Sequence, residues 1–266
     1  MSTPGPIPDA TTRFSDRAAA YARYRPGYPP EVVTRLVRDH GLERRHVIAD
    51  VGSGTGLFAE LLLRNGNPVF GVEPNEAMRA AGVARLAAWP AFTSVAGTAE
   101  QTGLPEASVD WVTAAQSFHW FDVRAARREF LRILRPAVDW RPRVVLLWNV
   151  RREDTPFLRE YEALLREFGT DYAVVRHQNV ETDGRLGTFF GSRTIAFFEL
   201  PNRQVLDFDG LRGRTMSASY VPPETDPRGI ALAARLRQLF DRHAVGGSVT
   251  IEYDTRVYVG DIAVED

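Results

Sequence analysis

A run of seven residues, Asp50-Val51-Gly52-Ser53-Gly54-Thr55-Gly56, constrains this chain more than any other segment. It follows a short β-prone stretch, Val47–Val51, and opens a helical pattern over Gly56–Arg64. Glycines at alternate positions let a backbone turn tightly and let a ligand approach without meeting a Cβ. The helix start behind such a turn offers N–H groups and a positive dipole end, which suits a carboxylate or phosphate. Glu73 closes the next β-prone run, Val69–Val72. An acid at that place can accept hydrogen bonds from both hydroxyls of a ribose. Together, Gly52–Gly56 and Glu73 predict a nucleoside-containing ligand.

The remaining pattern fits that turn into an α/β fold. Helical patterns are expected over Glu31–Asp39, Asn75–Leu86 (capped by Asn75), Asp122–Leu134, Thr155–Phe168 and Pro227–His243. Strands are expected at Phe92–Val95, Val109–Ala115, Arg143–Trp148 and Thr194–Leu200. Ser248–Val259 alternates strictly and reads as a terminal antiparallel strand. Val174–Gly191 shows no period. Strand–helix alternation gives a parallel sheet covered on both faces. The expected fold is therefore Rossmann-like: α/β, doubly wound, with a mostly parallel seven-stranded sheet and an antiparallel last strand. An N-terminal helical lid and an insertion after the fifth strand complete it. Residues 1–12 read as a flexible tail and 13–266 as one domain. Within that domain, 13–45 form the lid, 46–150 the nucleoside-binding core, 151–246 the substrate-side insertions and 247–266 the last strand.

Composition narrows the function. The 266 residues contain 33 Lys and Arg against 34 Asp and Glu, so the formal net charge is -1. A protein built to grip nucleic-acid backbone needs a positive excess, so no nucleic-acid partner is expected. Cysteine is absent, which excludes disulfides, thiolate nucleophiles and thiolate metal sites. No acid cluster has the spacing of a divalent-metal site, and no metal is expected. No apolar run approaches the ~20 residues of a membrane helix, and Met1–Thr12 has no apolar signal core. A cytoplasmic protein acting on a small molecule, as monomer or homodimer, is the expectation.

Two nucleosides compete at the glycine turn. The dinucleotide pattern G-x-G-x-x-G/A is met by Gly54, Gly56 and Ala59, but from Gly52 its third place falls on Leu57. Asp50-x-Gly52-x-Gly54-x-Gly56 instead resembles motif I of class I S-adenosylmethionine (SAM) dependent methyltransferases. Gly71-Val72-Glu73-Pro74-Asn75, Gly97-Thr98-Ala99-Glu100 and Ala114–Phe121 are similar to that family's later segments. The N-terminal Tyr21-x-x-Tyr24-Arg25-Pro26-x-Tyr28-Pro29, the pair His119-Trp120 and the segment Ser217–Pro222 resemble the small-molecule branch containing trans-aconitate methyltransferase-like proteins.

The resemblance implies a SAM site built from Asp50, Gly52, Ser53, Gly54, Gly56, Glu73, Pro74, Thr98, Ala99, Glu100 and Gln116. Tyr21 and Arg25 of the lid would close over it. His119, with an unperturbed pKa near ~6.5, suits a general base. Trp120, Arg151 and Tyr220 are expected to meet the substrate, with Arg151-Arg152 suited to an acidic one. His40, His46, His177 and His243 are expected to be solvated. The implied reaction is methyl transfer to an oxygen, that of a carboxylate included, or a nitrogen of a small molecule. The alternatives are an NAD(P)-dependent oxidoreductase and a catalytically silent SAM-binding or scaffold protein.

Overall fold

Arg143–Trp148 is apolar at nearly every position, the mark of a strand covered on both faces. In the computed structural model this strand, β5 (Arg143–Arg151), is buried from Val144 to Val150. The structure describes residues 23–136, 142–170, 181, 183–191, 194–218 and 220–262. The expected tail 1–12, the lid residues Phe14 and Tyr21, and His177 lie outside the described residues.

Seven strands form one sheet in the order β3-β2-β1-β4-β5-β7-β6. They are β1 (Ile48–Val51), β2 (Val69–Val72), β3 (Phe92–Val95), β4 (Trp111–Ala115), β5, β6 (Ala196–Leu206) and β7 (Val249–Gly260). The first five run parallel, and β7 is antiparallel to both its neighbours, β5 and β6. This is the Rossmann-like sheet that the alternation predicts.

Helices cover both faces. On one, α1 (Glu31–His40) and α2 (Leu57–Asn65) bury Val32, Leu36, Phe58 and Leu62 against Ile48, Trp111, Val145 and Leu147. On the other, α4 (Val123–Ile133) brings Ala126, Phe130 and Ile133 against Val112, Val144 and Leu146. Between β2 and β3, α3 (Glu76–Arg85) starts at Asn75, whose side chain accepts from the Met78 amide. A separate core lies beyond β5. There α5 (Pro156–Phe168), α7 (Phe208–Met216) and α8 (Pro227–His243) pack around Leu158, Tyr161, Leu211 and Leu236 and the first half of β7.

Several elements differ from expectation, each for a tertiary reason. β5 runs on to Arg151 because Asn149, Val150 and Arg151 pair with Thr255, Asp254 and Tyr253 of β7. β6 runs to Leu206 because β7 offers partners along its whole length. Pro201 is tolerated there because β6 is an edge strand. Val109 makes only an isolated bridge, and β4 begins at Trp111. The aperiodic stretch Val174–Gly191 contains α6 (Arg185–Phe190), too short to show a period. α7 is hidden by Gly210 and Gly213, and Gly213 leaves room for Tyr24: a Cβ there would lie 2.4 Å from its ring. His46 is buried rather than solvated, stacked on Trp111 with ring centroids 6.2 Å apart.

Phe189 of α6 joins these parts. Its ring meets Phe118, Phe130 and Phe190 edge-on at 5.2, 5.7 and 5.2 Å. Phe189→Ala should therefore cost about 3–5 kcal/mol. Urea unfolding should show a lower midpoint at unchanged slope.

Candidate active site

The glycine turn lies at the carboxyl edge of the parallel strands, between β1 and α2. Gly52, Gly54 and Gly56 all have positive φ (70°, 54° and 78°), which side-chain-bearing residues rarely adopt. Space is as restrictive as torsion. A Cβ on Gly52 would lie 2.4 Å from Cβ of Ser117, and one on Gly56 2.6 Å from the Leu86 side chain. Ser117 is held in place by its hydroxyl, which donates to the Val51 carbonyl at 2.8 Å.

The turn's own amides are largely engaged. Those of Gly52 and Ser53 both donate to Val72 O, and that of Gly56 to Ser53 O. The Gly54 amide donates to Glu73 Oε2 at 3.0 Å. The segment therefore offers a ligand a shaped, side-chain-free surface more than a set of open donors.

Glu73 and Asp50 make the site electrostatically unusual. Glu73 is buried, with Oε1 accepting from the Asn75 amide at 2.9 Å. Burial pushes its carboxyl above the usual range, against the pull of the Asn75 and Gly54 amides. Asp50 lies beneath the turn and accepts from the Thr113 hydroxyl at 2.7 Å. Burial pushes its carboxyl up to about 7, opposed by the Thr113 hydroxyl and the Ala59 amide and reinforced by the nearby Glu73. Pro74 follows Glu73, and its carbonyl accepts from Arg79 at 2.7 Å.

At the end of β4, Gln116 also takes a positive φ, 58°. Such a conformation in a non-glycine residue costs of order 1–3 kcal/mol and occurs preferentially at functional sites. Its amide extends the β4–β5 pairing to Leu147 O, while its side-chain Oε1 is buried without a hydrogen-bond partner. Phe118–Trp120 then forms a 3-10 turn, placing His119 and Trp120 half-buried with ring centroids 4.7 Å apart. Arg185 of α6 donates to the His119 carbonyl at 2.9 Å.

The other expected residues have partners of their own. Thr98 shapes its own turn, its hydroxyl accepting from the Gln101 amide at 3.2 Å. Ala99 is buried in the main core. Glu100 accepts from the Asp122 amide at 2.9 Å, at the start of α4. Arg25 is half-buried next to Tyr24. Arg151 does not present an open cation: it pairs with Glu162 at 2.5 Å and lies over the Tyr161 ring. Arg152 is ion-paired with Asp154 and Glu252. Sequence reading missed Ser117, the residue that sets the clearance over Gly52, and Arg214, a buried arginine within the separate core. The first follows Gln116 directly; the second carries no local signal.

The residues present fit a nucleoside cofactor, because the cradle admits no Cβ and a buried carboxylate and an unpartnered amide oxygen border it. Gly52→Ala should cost about 2 kcal/mol or more of stability. It should also abolish measurable S-adenosylhomocysteine binding in calorimetry. Asp50 gives a pH signature. An unfolded Asp titrates near ~4, so the stability from protonated Asp50 is full below that pH. It is lost as pH rises to about 7. Asp50→Asn stays neutral throughout. Stability relative to wild type should therefore move in favour of the variant between those two pH values, by up to a few kcal/mol in urea titrations.

Residues 49–138 match the family described as a methyltransferase domain. An uncharacterized methyltransferase of Mycobacterium tuberculosis is 37% identical over 161 residues, 60% of this chain and 62% of that protein. The match thus spans less than two thirds of that relative's length. Among solved structures, an Anaeromyxobacter dehalogenans protein provisionally assigned as a type II methyltransferase aligns with TM-score 0.65 and 22% identity. It covers 91% of this chain and 100% of its own. A Haemonchus contortus phosphoethanolamine N-methyltransferase, solved with phosphomonomethylethanolamine and S-adenosylhomocysteine, aligns with TM-score 0.53 and 15% identity. That match covers 94% of this chain and 58% of the other. These two structures share the fold. With the sheet order, the glycine cradle and Glu73, the matches show a methyltransferase domain over residues 49–138 of this chain, whose site fits SAM as its cofactor.

Proposed function

We propose that the protein transfers the methyl group of SAM to an oxygen or nitrogen of a small molecule. The observation that carries this reading is the side-chain-free cradle of Gly52, Gly54 and Gly56 with buried Glu73 bonded to its centre. SAM supplies the activated methyl group. What remains for the chain is to hold two reactants in line and exclude water. Glu73 would hold the ribose and Gln116 the methionine part. Thr98, Ala99 and Glu100 form the adenine side; Tyr21, which lies outside the described residues, and Arg25 belong to the lid. Trp120 and Tyr220 line the acceptor side. His119 is the candidate base for an acceptor that must lose a proton. The dinucleotide reading has no support in the matches reported above, and read from Gly52 its pattern fails at Leu57. A cytoplasmic location and a monomer or homodimer accord with this reading.

Calorimetry with S-adenosylhomocysteine and, separately, NAD⁺ tests it. The first should bind and the second should not. Glu73→Ala should weaken S-adenosylhomocysteine by about ten- to a hundredfold, the worth of hydrogen bonds to a charged group. His119→Ala should leave that affinity unchanged while lowering kcat by about 10²–10⁴ for an acceptor with a dissociable proton. Binding of NAD⁺ alone would overturn the methyltransferase reading.

A further inference from the structure

Arg214 of α7 is 5% exposed, yet no carboxylate among the described residues pairs with it. Its Nη1 is buried with no hydrogen-bond partner, and its Nε reaches only the Tyr253 hydroxyl, at 3.4 Å. Tyr253 donates its own proton to Gln204 Oε1 at 3.0 Å, and the Tyr161 hydroxyl is engaged with Thr215 at 2.8 Å. The nearby acid, Glu162, is already shared by Arg151 at 2.5 Å and Arg166 at 3.1 Å. One positive charge is therefore left uncompensated in a buried setting. An unpaired buried charge is costly, and an anion supplied from outside would offset that cost.

The position suits an acceptor site. Tyr253 stands opposite Arg151 in the β5–β7 register, beyond the carboxyl end of β4. Tyr24 packs on Gly213, beside Arg214. From there the chain runs to Tyr28, whose ring lies on Phe58 at 5.3 Å, two residues after Gly56. Four peptide units reach at most about 14 Å. Along the way, the Gly27 carbonyl is held by Asn149 and Asn202 at 3.1 and 2.8 Å. This strap ties the surroundings of Arg214 to the cofactor cradle.

We propose that Arg214 is the receptor for a carboxylate of the methyl acceptor, so that the substrate is a small acid anchored through its anionic group. A single uncompensated charge favours a monoanionic group, and a guanidinium can meet a carboxylate with paired N–H donors. The inference rests on the methyltransferase reading for its link to turnover, but the anion site can be measured without it.

The test uses the full chain, with and without S-adenosylhomocysteine, at constant ionic strength. Thermal shift and calorimetry are run with butyrate, succinate, neutral butyramide and inorganic phosphate. Butyrate or succinate should stabilise the wild type, and butyramide and phosphate should not. Arg214→Met should weaken the carboxylates by at least about tenfold, leave S-adenosylhomocysteine affinity unchanged and raise the melting temperature of the ligand-free protein. Arg214→Lys should retain part of the carboxylate response. A ligand-free Arg214→Met that melts lower and still responds to carboxylates would show a structural arginine and overturn the proposal. Stabilisation by phosphate alone, or by no anion, would overturn it as well. Failure of S-adenosylhomocysteine to bind, with the carboxylate response intact, would sink the methyltransferase reading and leave the anion site standing.

Discussion

Everything at the candidate active site depends on the parallel alignment of β1, β2, β4 and β5. It brings the carboxyl ends of four strands to one edge. The register pairs Asp50 with Gly71 and Thr113, so the glycine turn leaves β1 beside the residues that leave β2 and β4. Val72 O then takes the amides of Gly52 and Ser53, and Val51 O takes the Ser117 hydroxyl. Two ordinary strand-end carbonyls thereby fix the turn against both neighbours. The absence of side chains at the glycines follows from this crowding as much as from the torsions.

The second organising feature is uneven compensation of buried charge. Many of the described arginines lie at the surface in exposed ion pairs, which contribute little to stability. Buried ionisable groups include Asp50 and Glu73 at the cradle, Glu162 in its pair with Arg151, and Arg214. Burial raises the carboxyls of the first two, while Glu162 is neutralised by its arginine partners. Groups of this kind mark places where the fold accepts instability, and such places are commonly functional.

The strap Tyr24–Tyr28 shows how far site construction is non-local. It joins α7, the β5–β6 side chains Asn149 and Asn202, and Phe58 of α2. The residues involved come from positions as distant as 24 and 213. The difference between Arg151 and Arg214 has the same origin. Both are arginines in sequence, and only packing decides that Glu162 pairs with the first and that no described acid pairs with the second.

The parts of this protein legible in the linear chain are those governed by local rules. Gly52, Gly54 and Gly56 announce a turn because only glycine takes those torsions freely. Asn75 and Asp122 announce helix starts because their side chains cap nearby amides. The strict alternation of β7 gives away its two environments. Short or glycine-bearing helices such as α6 and α7 were illegible, because packing rather than propensity holds them. Strand lengths at β5 and β6 were decided by the partner strand. The burial of His46, the closure of Arg151 by Glu162 and the isolation of Arg214 belong to the tertiary structure alone. A side chain's charge is written in the sequence, but whether that charge is compensated depends on which distant groups the fold brings within reach.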